Sequence, residues 1–336
     1  MDLDKPFRTY DEQIDLLQDR GLCITDREFA NHALSTISYY DLINGYKNIF
    51  MKDDVFLPDI HIEYLYEFFF LDKSIQSFIM KYSLFIENLF KNALAYTITN
   101  SFGAHESKYL DSNNYLNYSS GSLFQDNVMS ELKPLLTETK IYKIKYPTRH
   151  YRENHNHVPP WILFKNISFG CAINLFNVLK PNEKQRVVNQ LLPTNKIDYD
   201  KKVEILKGGL ENIRLFRNTA AHNLSFVTCK APNSIQPKQI YKILPKLIYL
   251  TNDLKQPLNI DKKSCKGLYN IILMILALLN TSFLRSLFIN DFKHSIFYNV
   301  SPDNTTRLKL FQQYSKLLNL PSNLLERLSN FESTLT

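Results

Sequence analysis

Apolar residues recur along this chain at intervals of three and four, and no stretch alternates with the period of two that a half-buried strand needs. The pattern therefore predicts an all-α fold. Its strongest segment runs from Ile62 to about Thr99, where neither Gly nor Pro interrupts a series of Leu, Phe, Ile and Tyr, so one long helix or two abutting helices lie here. Ahead of it, Thr9 with Glu12 and Thr25 with Glu28 have the spacing of capping boxes, and Gly21 and Gly45 stand where left-handed residues close helices. Beyond it, residues 101–120 read as loop and Leu123 to Thr137 as a short helix interrupted by Pro134. Pro159-Pro160 then opens a helix from Trp161 to Lys180. Further helices are predicted over 182–192, Lys201 to His222, Gln239 to Leu254, Cys265 to Phe288 and Thr305 to Leu318. They group into a small N-terminal helical lobe (1–57), a core (58–230) and a C-terminal helical extension (231–336).

Composition narrows the function classes. The chain has 336 residues, enough for a large core, but only 8 glycines, where average usage of about 7% would give roughly two dozen. Gly-rich phosphate loops, and with them Rossmann and P-loop readings, are poor fits. Cys23, Cys171, Cys229 and Cys265 lie far apart with no CxxC spacing, which supports neither a disulfide framework nor a zinc site, and no cofactor is expected. The N-terminus is acidic and lacks an apolar signal region, and the apolar run from Ile271 to Leu279 is shorter than the ~20 residues a bilayer requires. It reads as a buried core helix in a soluble, cytoplasmic protein without membrane contact. A membrane-active toxin built on that run is the weakest of the readings.

The net charge of +7 favours a polyanionic partner. Between about 138 and 158 the chain interleaves bases with aromatics, and Lys143, Lys145, Arg149, His150, Tyr151 and Arg152 form a candidate RNA-contacting insertion, with cations on phosphates and Tyr on bases. The bland reading of the same stretch is a solvated surface loop.

The segment that carries chemistry ends the helix predicted over Lys201 to His222. Val203, Leu206, Leu210, Ile213, Phe216 and Ala220 step by three or four and form its buried stripe. Arg217 falls beside that stripe, Asn218 and His222 share the far face, and Arg217 and His222 stand about 140° apart on an ideal helix. An Arg followed after four to six residues by His is the pattern of the HEPN ribonucleases, which Arg217-Asn218-Thr-Ala-Ala-His222 resembles. The chemistry fits those residue types. RNA carries its own nucleophile in the 2′-OH, histidine exchanges protons near neutrality, and the arginine fork suits phosphate oxygens. No metal is called for. Arg217 and His222 would converge only through a distorted last turn or through a second copy of the motif. The chain has one copy, so a homodimer is expected.

Further blocks occur in the order of a known family. Lys5-Pro6, Tyr10 to Leu22, Ile37 to Tyr46, Ile86-Glu87, Pro160-Trp161 to Gly170 and Arg217 to His222 resemble the bacterial abortive-infection (Abi-like) proteins of the AbiD/AbiF type. Lys91 stands where relatives often carry Arg, and Asn-Leu-Ser-Phe follows His222. The resemblance implies a HEPN-like helical bundle and phage defence by an endoribonuclease toxic to RNA. It also implies a homodimeric composite site and association with a small noncoding RNA, DNA not being expected as a partner. Arg217, Asn218 and His222 would be catalytic, with Glu87, Lys91 and Trp161 supporting. The competing class is a non-catalytic RNA-binding or scaffold protein that keeps the motif only for folding.

Overall fold

The computed structural model describes residues 6–116, 124–233, 237–244, 247, 267–298 and 304–335. Helix α1 (Tyr10–Asp19) opens with the predicted capping box, Thr9 N–H donating to Glu12 at 2.7 Å and Glu12 N–H to the Thr9 hydroxyl at 3.3 Å. Gly21, at φ +85°, closes it. The second box does not form. Helix α2 (Arg27–Ile37) is capped by Asp26, whose carboxylate accepts from Phe29 N–H at 2.9 Å, so the helix starts one residue later than a Thr25 cap on the Glu28 amide would place it. It ends at Ser38, at φ +83°, while Gly45 sits inside a 3-10 turn. A hairpin absent from the periodicity follows, β1 (Met51–Lys52) pairing antiparallel with β2 (Val55–Phe56). Its strands are too short to show alternation, and Asp53 and Asp54, both at positive φ, make its turn.

The long apolar run is one helix, α3 (Ile62–Phe102), 41 residues and therefore about 60 Å long. It is buried on most of its circumference and stops at Gly103, at φ +96°. The segment after it carries α4 (Ser130–Thr137), which spans Pro134, and α5 (Thr148–Asn154), which lies in the basic insertion. The helix predicted from Trp161 to Lys180 is broken. A single turn, Pro160–Leu163, is followed by irregular backbone, and Ser168 caps α6 (Phe169–Val178) by accepting from Cys171 N–H at 3.0 Å. Polar side chains bonding to backbone here compete with helix. Then come α7 (Pro181–Leu191) and α8 (Tyr199–Ala221).

The prediction over Cys265 to Phe288 also divides, into α9 (Leu268–Leu278) and α10 (Ser282–Ile296). Thr281 caps α10, and Arg285 Nε donates to the Leu276 and Leu279 carbonyls at the end of α9. Cys265, residues 117–123 and the end of the helix predicted from Gln239 to Leu254 lie outside the described residues. Helices α11 (Thr305–Leu317) and α12 (Leu324–Glu332) finish the chain, the last unpredicted. Every residue of α9 is buried, and no helix among the described residues is long and apolar enough to cross a membrane.

Helices from all three sequence segments pack on α3: α2 from the N-terminal lobe, α6, α7 and α8 from the middle, and α9, α10 and α11 from the C-terminal region. One continuous apolar core runs from Ile14 to Phe331. Helix α9 approaches α8 closely where Gly209 has no side chain, since a Cβ there would overlap Met274. A buried amide cluster adds to that contact, Asn212 Nδ2 donating to the Asn233 carbonyl at 2.7 Å and to Asn270 Oδ1 at 3.1 Å.

At the N-terminal third of α3, Asp72 is fully buried and accepts from Tyr46 (2.9 Å), Gln76 (2.9 Å) and Tyr314 (2.7 Å), so one carboxylate joins the N-terminal lobe, the spine and α11. Burial raises its pKa above the ordinary carboxylate range, against hydrogen bonds from Tyr314 and Tyr46 that lower it. Asp72→Ala is expected to cost about 3 kcal/mol or more in urea denaturation, because it strands three donors. A carboxyl with a raised folded-state pKa favours folding most below its unfolded value of about 3.9 and loses that advantage as pH rises through the folded value. The stability of the wild-type protein relative to Asp72→Asn should therefore fall from acidic to neutral pH. A gap that widens with pH would refute this assignment.

Candidate functional site

Helix α8 packs along α3 and brings Arg217 and Asn218 beside Glu87 and Lys91. The burial follows the expected stripe, with Leu206, Leu210, Ile213 and Phe216 fully buried against the core. Arg217 sits at the stripe's edge with its side chain 30% exposed, and its Nη2 lies 3.6 Å from Glu87 Oε2. Its Nη1 donates to Asn218 Oδ1 at 3.3 Å, and its Nε is buried without a hydrogen-bond partner. Lys91, also buried, takes the other oxygen of Glu87 at 2.7 Å and donates to the Ile167 carbonyl at 2.6 Å, in the break before α6.

The charges of this cluster are uneven. One carboxylate faces two cations, so an excess positive charge remains on the side that reaches solvent through Arg217. Glu87 Oε2 makes no hydrogen bond of its own, and the 3.6 Å separation is an ion pair and not a direct hydrogen bond. The guanidinium is steered without being used up.

His222 is the C-cap residue of α8 and is exposed. Its backbone N–H donates to the Asn218 carbonyl at 3.0 Å, but no hydrogen bond links its ring to Arg217 or Asn218. What fixes its place is the helix end. Asn223, at φ +59°, donates to the Ala220 carbonyl and Leu224 N–H donates to the Thr219 carbonyl at 3.0 Å, the two bonds of a Schellman motif. Asn tolerates the left-handed position better than other non-glycine residues. Lys73 Nζ, from α3, donates to the Asn223 carbonyl at 2.8 Å and ties this turn to the spine. Sequence reasoning missed both Asn223 and Lys73. The helix-terminating Asn directly after His222 was the available signal, whereas the contact of Lys73 depends on tertiary packing.

The basic insertion is more ordered than a plain surface loop. Thr148 is buried and donates to Asn166 Oδ1 at 2.7 Å, and Asn166 Nδ2 donates back to the Tyr146 carbonyl at 3.1 Å. Arg152 is used internally, its Nη1 donating to the Leu135 and Glu138 carbonyls at the end of α4. Arg149 pairs with Glu153 at 3.1 Å, His150 stacks on Tyr146, and Tyr151 packs against His155. Lys143 and Lys145 are exposed. Trp161 is not in the Arg217 cluster. It stands on the turn before the break and lines a separate cleft on another side of α3. Among the described residues no group of three or more His, Cys, Asp or Glu is arranged to hold a metal ion.

Fold and site together define a helical protein in which a buried acid–base pair on a central helix holds an Arg-Asn pair near an exposed terminal histidine. Residues 32–227, more than half of the chain, match the family model for Abi-like protein, and the chain belongs to that family. Membership places it among abortive-infection proteins, which act in phage defence. No curated protein and no solved structure matches the chain.

Removing Glu87 should strand Lys91. Glu87→Ala is expected to cost roughly 3–5 kcal/mol, the usual loss when one partner of a buried pair is removed, and Lys91→Met in the same chain should recover most of it. Denaturation of the two single variants and the double variant tests this. Additive losses would show that the pair is not coupled.

Proposed function

We propose that this protein is a HEPN-type endoribonuclease effector of phage defence, working as a homodimer and associated with a small noncoding RNA. The observation that carries the reading is the excess positive charge at Arg217, a guanidinium oriented by Glu87 and Asn218 while Lys91 occupies the rest of the carboxylate. A carboxylate pairing with Arg217 alone would cancel the charge that a phosphate needs. The exposed imidazole of His222, one turn beyond Asn218, is free to meet substrate.

In the proposed reaction the 2′-oxygen of RNA forms a bond to the adjacent phosphorus and the bond from phosphorus to the 5′-oxygen breaks. The 2′-OH proton passes to one His222, and a proton reaches the leaving 5′-oxygen from the His222 of a second copy. Products carry a 2′,3′-cyclic phosphate and a 5′-hydroxyl. Arg217 stabilises charge on the non-bridging oxygens, and Asn218 orients the guanidinium. The nucleophile is internal and histidine moves the protons, so the step requires no metal ion. The exposed Lys143 and Lys145, with Arg149 and the His150–Tyr151 pair behind them, supply a surface for RNA phosphates and bases, whereas Arg152 supports α4.

His222→Ala and Arg217→Ala should each lower cleavage by a hundredfold or more, on the scale of about 10²–10⁴ for a lost proton carrier or charge stabiliser, while RNA binding persists. A substrate with 2′-deoxyribose at the scissile position should bind and resist cleavage. Cleavage that survives this substitution, or that chelator abolishes and magnesium restores, would overturn the mechanism. Toxicity retained by both variants would favour the non-catalytic RNA-binding reading.

A further inference from the structure

A cleft of about 820 Å³ runs along α3 on a side separate from the Arg217 cluster. On an ideal helix its Asn92 and Tyr96 stand about 140° and 180° around the axis from Glu87. Its walls hold two aromatic rings, Tyr96 (68% exposed) and Trp161 (45% exposed), and four carboxamides, Asn92, Asn100, Gln190 and Asn280. Gln190 spends its amide hydrogens on Thr97 and the Arg186 carbonyl. Among the described residues, the other three amides make no hydrogen bond to the protein, and the buried hydroxyl of Thr99 in the same wall has no partner either.

The lining carries no charge, but cations stand near both ends. Lys165 donates to Asn88 at 2.6 Å and Arg186 to Ser101 at 3.2 Å, so the two side chains are anchored on α3 about 20 Å apart along its axis. An uncharged trough with stacking faces and carboxamides, bounded by cations, has the complementarity of unpaired nucleobases strung on phosphates. Carboxamides offer a donor and an acceptor side by side, as base edges do. A protein surface seated here would have to satisfy the same amides and gain little from the flanking cations.

The geometry points to this cleft as a binding site for single-stranded RNA, with Trp161 and Tyr96 stacking on bases and the carboxamides contacting their edges. The inference rests on RNA being the partner, as proposed above, and assigns the contact to a place distinct from the cleavage residues. It deepens that reading by naming unpaired RNA as the class of ligand recognised.

Trp161 is the only tryptophan in the chain, so its fluorescence reports on the cleft directly. The full-length His222→Ala protein is titrated with a fluorescein-labelled single-stranded RNA of mixed sequence and with the same strand annealed to its complement. Polarisation reads binding, and unlabelled RNA is used in parallel to read Trp161 emission. The expected result is quenching of Trp161 in step with single-strand binding and little quenching by the duplex. Tyr96→Ala and Trp161→Ala should each weaken single-strand binding about tenfold, as loss of a stacking ring does, while Trp161→Phe retains most of the affinity. Binding with unchanged Trp161 emission, or affinity in both alanine variants equal to that of the parent protein, overturns the cleft and leaves the ribonuclease reading standing. A loss of self-association in Trp161→Ala with RNA affinity intact makes the cleft a contact between copies and also overturns it. Failure of the protein to bind RNA at all overturns both.

Discussion

A helix buried on most of its circumference leaves its polar groups dependent on partners in the protein, and of the six on α3, Asp72, Glu87, Lys91 and Thr97 reach other segments, Gln76 bonds Asp72 and Lys73 within the helix, and Ser83 has no partner. An unmet buried donor or acceptor costs about 1–3 kcal/mol, so these positions select where other segments dock. Asp72 draws in Tyr46 and Tyr314, Lys91 the carbonyl of Ile167, Glu87 the Arg217 guanidinium, and Thr97 the amide of Gln190. Apolar packing supplies most of the burial but is tolerant of sliding. The polar contacts fix the register, because a helix shifted by one residue would miss them all.

The same arrangement divides the motif on α8 into a held part and a free part. Arg217 and Asn218 lie where α8 still rests on α3, and the buried Glu87–Lys91 pair limits their freedom. His222 lies just past the last turn, located by the backbone of Asn223 and by Lys73 but with its ring in solvent. A charge stabiliser benefits from preorganisation, since reorienting it during reaction costs energy. In the mechanism proposed above, a proton carrier that meets substrate across two copies would need reach, and the exposed end of α8 leaves the His222 ring that freedom.

Much of this was legible in the sequence. The uninterrupted run after Ile62, the Thr9 box, the Gly21 stop and the buried stripe of α8 all depend on local periodicity or capping, and all appear in the structure. Errors fell where two local signals competed or where a tertiary contact decided. Asp26 outcompeted Thr25 as a cap, and Ser168 and Thr281 restart helices beside short polar interruptions, Lys165-Asn166 and Asn280-Thr281-Ser282, that one continuous helix could also have carried on a solvent face. The hairpin was too short for its period to show. Of the candidate residues, Arg217, Asn218 and His222 are singled out by spacing and Glu87 and Lys91 by resemblance, and the structure gathers Arg217, Asn218, Glu87 and Lys91 into one cluster. Lys73 acts through a carbonyl 150 residues away, which no local pattern encodes.

Net charge was a blunter guide than it first seems. Several of the cations behind the +7 surplus do structural work inside the protein. Arg285 closes the end of α9, Arg152 bonds carbonyls at the end of α4, Arg327 reaches the Leu247 carbonyl at 3.1 Å, and Arg307 pairs with Glu67 at 2.9 Å. A guanidinium with five donors can satisfy carbonyls that a helix terminus leaves open, which is why an all-helical chain uses basic residues for folding as well as for binding. The positive charge available to a polyanion is therefore set by which cations lack an internal acceptor. By that criterion Lys143 and Lys145, exposed on the insertion, matter more than the total, and Arg217 matters because Lys91 competes for its carboxylate.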